Sequence, residues 1–216
     1  MTIRKGQFIT VEGGEGAGKS SNLAFIRVLL EQSGIEVVFT REPGGTALGE
    51  DIRDLLLGHK HTGMASDTEL MLMFAARAEH LNRLILPALS QGKWVLCDRF
   101  TDASYAYQGG GRGIDMRRIQ FLETWVQQGI TPDLTLLLDL PVQTGLDRAG
   151  QRSEPDRFEV EQTAFFERVR ATYLERAGQE PGRFRIIDAA VTLPQVQSQI
   201  ASVVTAFLET LEDVHE

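Results

Sequence analysis

Short apolar or β-branched runs alternate with longer stretches of helical spacing along the 216 residues of this chain. The runs are residues 7–12 (QFITVE), 36–40 (EVVFT), 94–98 (WVLCD), 134–139 (LTLLLD) and 184–188 (FRIID). Their length and composition predict five strands. Between them, Leu23, Ile26 and Leu30 share one helical face, as do Ile119, Leu122 and Val126. The longest stripe is Val196, Ile200, Val203, Val204, Phe207 and Leu211, which predicts a final helix laid on the sheet. Strands separated by helices read as βαβ units, so the class is α/β with a buried parallel sheet. No internal repeat and no low-complexity linker divides the chain, so residues 1–216 are expected to form one domain. Two polar, glycine-bearing insertions, residues 108–113 (QGGGRG) and 150–156 (GQRSEPD), are expected to be exposed, mobile loops.

Composition narrows the function. With 42% of residues hydrophobic and 24% charged, a packed core is expected. No apolar run approaches the ~20 residues of a membrane span, and the N-terminus has no signal-peptide core, which predicts a soluble, cytoplasmic protein. One cysteine, Cys97, and four histidines exclude a disulfide scaffold and a zinc module. The net charge of −8 argues against a general polynucleotide binder. Only Lys5, Lys19, Lys60 and Lys93 are lysines; the other eighteen of the 22 basic residues are arginines, whose planar forks grip phosphate.

The chemistry starts at Gly13-Gly14-Glu15-Gly16-Ala17-Gly18-Lys19-Ser20, a G-x-x-x-x-G-K-S loop that follows a predicted strand and precedes a predicted helix opening at Ser21. Small residues there let successive backbone N–H groups turn onto a phosphate, and the helix adds its positive end. Lys19 is placed for the β- and γ-phosphates, Ser20 for Mg²⁺, and the candidate phosphate-binding set runs from Gly13 to Ser21. Glu15 inside this loop would repel phosphate, so it is expected to face a sugar hydroxyl, a metal or an arginine. The guanine-reading N/T-K-x-D motif is absent, which excludes a regulatory GTPase. Asp98 and Arg99 close the third strand, where α/β sheets bind ligands; Asp98 is placed to hold Mg²⁺ through water and Arg99 to clamp an acceptor phosphate. Arg77 sits on an apolar helix face near Met73 and Phe74, and needs a partner there. Ser104 and Gln108 offer groups that can read the edge of a base.

Beyond the P-loop, the segments TREPGGT (40–46), IRDLLL (52–57), FAAR (74–77), DRF (98–100) and AYQG (106–109) follow one another in an order that resembles the thymidylate kinase family, in its bacterial form, over essentially the whole chain. The resemblance implies a three-layer P-loop fold of the nucleoside-monophosphate kinase type with a small lid at about residues 145–158. It implies ATP and Mg²⁺ as cofactors, dTMP as acceptor, and a place in nucleotide biosynthesis. Arg77 would contact the thymine base, with Met73 or Phe74 stacking on it, and Ser104 and Gln108 would face the same ring. Glu15 would meet the acceptor's 3′-hydroxyl, and Arg41 and Arg53 would lie near the monophosphate. Arg148, Arg152 and Arg157 would be lid arginines that neutralise the moving phosphoryl group, and the chain would form a homodimer, with the helix around 69–89 as a possible interface. Two other readings stay open at this point: a P-loop kinase of another monophosphate or deoxynucleoside, and an ATP-binding regulatory protein without an acceptor.

Overall fold

The computed structural model describes residues 6–150, 157–158 and 161–213. Five parallel strands form one sheet in the order β2-β3-β1-β4-β5: β1 (Phe8–Glu12), β2 (Val37–Arg41), β3 (Trp94–Asp98), β4 (Leu134–Asp139) and β5 (Phe184–Asp188). Three of the five coincide with the predicted spans, β1 starts one residue later than predicted, and β2 is shifted by one position. Apolar side chains leave both faces of each central strand, as a sheet covered on both sides requires. Ile9, Val11, Leu96, Leu136 and Leu138 point to one face, where they meet Leu23, Ile26 and Leu30 of α1 (Lys19–Gln32). Phe8, Val95 and Cys97 point to the other, against Phe100, Leu81 and Ile85.

On that second face α2 (Ala47–Leu57) precedes α3 (Ser66–His80), which runs on through a wider π turn, Leu81–Ile85, into α4 (Leu86–Ser90). After β3 the chain forms α5 (Thr101–Ser104), a second π turn over Tyr105–Gly111, and then α6 (Met116–Gln127). Short α7 (Val142–Ala149) and long α8 (Thr163–Gln179) follow β4. The predicted last helix is α9 (Leu193–Asp213), and its stripe holds: Val196, Ile200 and Val204 are buried in the α1 core, with Val203, Phe207 and Leu211 packed against it.

One expectation is overturned here. Gln108 to Gly111 is not an exposed loop but the buried end of the second π turn, packed on α8. The glycines serve close approach. A Cβ on Gly110 would collide with the Thr172 hydroxyl, and one on Gly111 with the Phe165 ring. Of the other predicted loop, residues 151–156 lie outside the described residues.

All five strands end at one edge. β1 hands the chain to α1 on one face and β3 hands it to the opposite face, so the loops that follow them part and leave a crevice at the strand ends.

Candidate active site

The crevice is a cleft of about 280 Å³ whose wall includes residues 15–20, Asp98, Arg99, Arg77 and Gln108. Its floor is the P-loop. Gly16 has φ +67, a left-handed conformation that glycine adopts without strain, and a Cβ there would strike the backbone of Gly145 on α7. Gly18, also left-handed, caps α1, so that the helix N-terminus opens toward the cleft. Lys19 Nζ donates to the Gly13 and Gly14 carbonyls at 3.2 and 3.0 Å. Burial, and the nearby Arg99 charge, lower the Lys19 ammonium pKa, while Glu15 and Asp98 oppose the shift. Ser20 lines the cleft; Ser21 does not.

Arg99 is the hub beside this loop. It is a non-glycine residue at φ +67, a conformation that persists only where its surroundings fix it. Its side chain is fixed on three sides: Nη1 donates to the Gly13 carbonyl at 2.9 Å and to the Tyr173 hydroxyl at 3.2 Å, and Nη2 pairs with Glu15 at 2.8 Å. The Tyr107 hydroxyl also donates to Glu15, at 2.6 Å. Burial alone would raise the Glu15 carboxyl pKa, but Arg99, Lys19 and the Tyr107 hydroxyl together outweigh it and hold it below the ordinary value. Of the partners expected for Glu15, the structure supplies the arginine. Asp98 Oδ1 is buried without a hydrogen-bond partner among the described residues, next to Lys19 and Ser20 on the cleft wall. An orphaned carboxylate oxygen, a serine hydroxyl and a phosphate cradle are an all-oxygen donor set of the kind Mg²⁺ takes together with substrate phosphates.

The other end of the cleft is made of side chains. Glu69, Met73, Arg77 and His80 recur at spacings of four, four and three, and so share one face of α3. Arg77 is buried, and its charge is met by Glu42: Nε donates to Oε2 at 2.8 Å. Nη2 donates to the Ser104 hydroxyl at 2.9 Å and to the Phe100 carbonyl at 3.2 Å. Glu42 Oε1 accepts from His80 Nδ1 at 3.0 Å, and His80 Nε2 meets the Thr40 hydroxyl at 2.7 Å. Among the described residues Arg77 Nη1 remains buried without a hydrogen-bond partner, and so does Gln108 Oε1, whose residue lines the same cleft.

The remaining sequence candidates divide. Met73 lines the cleft, whereas Phe74 is core, packed with Leu70, Tyr105, Ile114 and Ile119, its ring under the Arg77 guanidinium at 4.5 Å. Arg53 lines the cleft and donates to the Pro43 carbonyl at 2.9 Å, beside the cis Glu42–Pro43 peptide. Arg41 is instead half-exposed and paired with Glu50 at 2.8 Å. Two lid candidates lie elsewhere. Arg148 donates to the Ala189 and Ala190 carbonyls beyond β5, at 2.8 and 3.3 Å. Arg157 is buried, donating to the Leu56 carbonyl and to Glu69, both at 2.7 Å, because a buried carboxylate there needs a cation. Arg152 lies outside the described residues. Glu42, Glu69, His80 and Tyr173 were not singled out from sequence; the shared face of α3 is the signal that marks two of them.

The family model described as thymidylate kinase matches residues 11–200. The chain is 57% identical over 204 residues to the thymidylate kinase of Pseudomonas entomophila (strain L48), covering 94% of this chain and 97% of that protein. To the thymidylate kinase of Nitrosomonas europaea it is 53% identical over 211 residues, 98% of each. The crystal structure of thymidylate kinase from Ehrlichia chaffeensis is similar with a TM-score of 0.75 at 35% identity, covering 93% of this chain and 99% of that one.

Proposed function

This chain belongs to the thymidylate kinase family and phosphorylates dTMP to dTDP with ATP, and we propose a division of labour within its cleft for that reaction. The reading rests above all on three buried polar atoms without hydrogen-bond partners among the described residues, Asp98 Oδ1, Arg77 Nη1 and Gln108 Oε1, on residues that line one cleft together with Lys19 and Ser20.

Backbone N–H groups of residues 13–20 and the α1 N-terminus cradle the ATP phosphates, and Lys19 turns from the Gly13 and Gly14 carbonyls onto the β- and γ-phosphates. Ser20 and Asp98 would hold Mg²⁺, which when bound supplies charge neutralisation on the phosphate oxygens. The acceptor is a phosphate whose second pKa is ~6, already dianionic at neutral pH, so no residue need remove a proton from it. Positioning and charge are what remain for the protein to provide. Arg99 and Arg53 clamp the acceptor phosphate, Glu15 and Tyr107 face the sugar, and Arg77 and Gln108 take the base edge, with Met73 against the ring. Because Arg148 and Arg157 are engaged elsewhere, we assign the γ-phosphate contact to Arg152, and expect Arg152→Ala to cost more in kcat than either of the other two. The segment around 145–158 closes over the transfer as a lid and excludes water.

We also propose that the enzyme is a cytoplasmic homodimer. Among the described residues no helix is long and apolar enough to cross a membrane. Met71, Phe121 and Trp125 of α3 and α6 are more than 60% exposed and lie near an open groove floored by Leu70 and Leu122. An apolar face of that kind marks a protein interface, and sedimentation of the chain against Trp125→Glu tests it.

Initial rates of ADP formation with dTMP, dUMP, dCMP, thymidine or no acceptor test the assignment as a whole. Strong turnover with dTMP and background without acceptor is expected; preference for dCMP would remove Arg77 and Gln108 from the base edge.

A further inference from the structure

Glu69 lies on the first turn of α3 and is fully buried. Its Oε1 accepts from the Gln108 amide nitrogen at 2.9 Å, its Oε2 accepts from Arg157 at 2.7 Å, and Arg112 Nε lies 3.3 Å from both oxygens. The two guanidinium groups make the buried charge tolerable. The amide contact does something else. A carboxylate between two guanidinium groups accepts and does not donate, while the two ends of a glutamine amide differ, one donating and one accepting. Only the NH₂ end of Gln108 can face Glu69. The oxygen is therefore the end left over, and it is the buried Oε1 that has no hydrogen-bond partner among the described residues.

We propose that Glu69 is a positioning residue for base selection: by holding the Gln108 amide with its oxygen toward the cleft, it restricts the acceptor to a base that presents an N–H at that point. The inference rests on the placement of Gln108 at the base edge given above. Thymine attached through N1 carries a single ring N–H, at N3, with a carbonyl on either side. That N3–H is the only donor on the ring edge able to satisfy Gln108 Oε1, and Arg77 Nη1 then meets a flanking carbonyl oxygen. Cytosine has an unprotonated N3, so the same geometry sets lone pair against lone pair. An unrestrained glutamine would escape by rotating its amide half a turn and donating to N3. Here rotation would bring the amide oxygen onto the Glu69 carboxylate, so the escape is closed. Selection by a fixed hydrogen-bonding group is far stronger than selection by shape alone.

The test is steady-state kinetics of the full chain with dTMP and dCMP. Glu69→Gln gives residue 108 a neighbour that accommodates either amide orientation. It should lower the ratio of kcat/KM for dTMP over dCMP by ~10-fold or more, acting on KM for dTMP more than on kcat. In a Gln108→Ala background the ratio is already low, and adding Glu69→Gln should not lower it further. A Glu69→Gln enzyme that loses activity equally with both acceptors, or that changes the ratio as much without Gln108 as with it, overturns the proposal. If Gln108→Ala alone leaves the ratio intact, the placement of Gln108 at the base fails and the inference falls with it. Should Glu69→Gln not fold, Glu69→Asp keeps a charge for Arg157 and Arg112 while withdrawing it from Gln108. A lowered ratio is again expected, and an unchanged one in a folded Asp variant overturns the proposal.

Discussion

In the proposed assignment, the recognition groups at one end of the cleft are backbone N–H groups of eight consecutive residues, with Lys19 the main side chain among them; at the other they are side chains, each held by a buried carboxylate. Arg77 is gripped by Glu42, 35 positions away, and Gln108 by Glu69, 39 positions away. The phosphate end needs only a strand, a glycine-rich turn and a helix in register. The base end needs distant parts of the chain to arrive with their charges matched, since a buried ion pair with one member missing is costly. Under the proposed assignment, contiguous backbone serves the part of the ligand common to all nucleotides, and long-range side-chain networks serve the part that distinguishes one base from another.

The sharpest way to break this contrast is at the phosphate end. Lys19→Ala should lower kcat by on the order of 10³-fold while dTMP binding measured by calorimetry stays near that of the parent enzyme. Comparable loss of dTMP binding would mean that the two ends are not separate. At the base end, Arg77→Ala should raise KM for dTMP by roughly 10²-fold with ATP affinity nearly intact, and should lower Tm because Glu42 is left buried beside His80 alone. Equal loss of ATP affinity would remove Arg77 from the base site.

Between the two ends lies Glu12, at the tip of β1. Its Oε1 accepts from the Phe100 N–H and its Oε2 from the Tyr173 hydroxyl, each at 2.7 Å. Burial first, and then Asp102, push its carboxyl up to about 8 from an ordinary 4.5. The folded protein thus holds this proton more tightly than the unfolded chain. The stabilisation is complete below the unfolded value and is lost as pH rises through about 8. Thermal melts between about pH 5 and 8 should show Tm falling from this source, with a flatter profile in Glu12→Gln; an unchanged slope would place the proton elsewhere. The smallest effect is expected at Arg148, which bonds two carbonyls beyond β5. Arg148→Ala should cost about 0.5–1.5 kcal/mol of stability and leave kcat within about threefold. A collapse of kcat would return this residue to the phosphoryl group.

What could be read from sequence follows the same contrast. The strands, the P-loop and the α9 stripe are local patterns, and all were legible to within a residue or so. Asp98 and Arg99 were legible because a strand end places them. Glu42, Tyr173 and Glu69 were not, since their value comes from partners far along the chain; Tyr173 reaches Glu12 across 161 positions. The glycines at 109–111 misled for a different reason. Glycine marks flexibility in a loop but permits contact in a packed helix, and only the Thr172 and Phe165 side chains on α8 decide which applies.

The touch between Gly16 and Gly145 has a mechanical side. Most joints inside a protein are cushioned by side chains that can change rotamer, but here backbone rests on backbone, and a Cβ on either residue would collide with the other segment. Such a joint has no play. A shift of the P-loop apex carries α7 with it, and α7 is the stem from which the segment after Ala149 springs. The apex of the loop after β1 and the helix after β4 thereby move as one body.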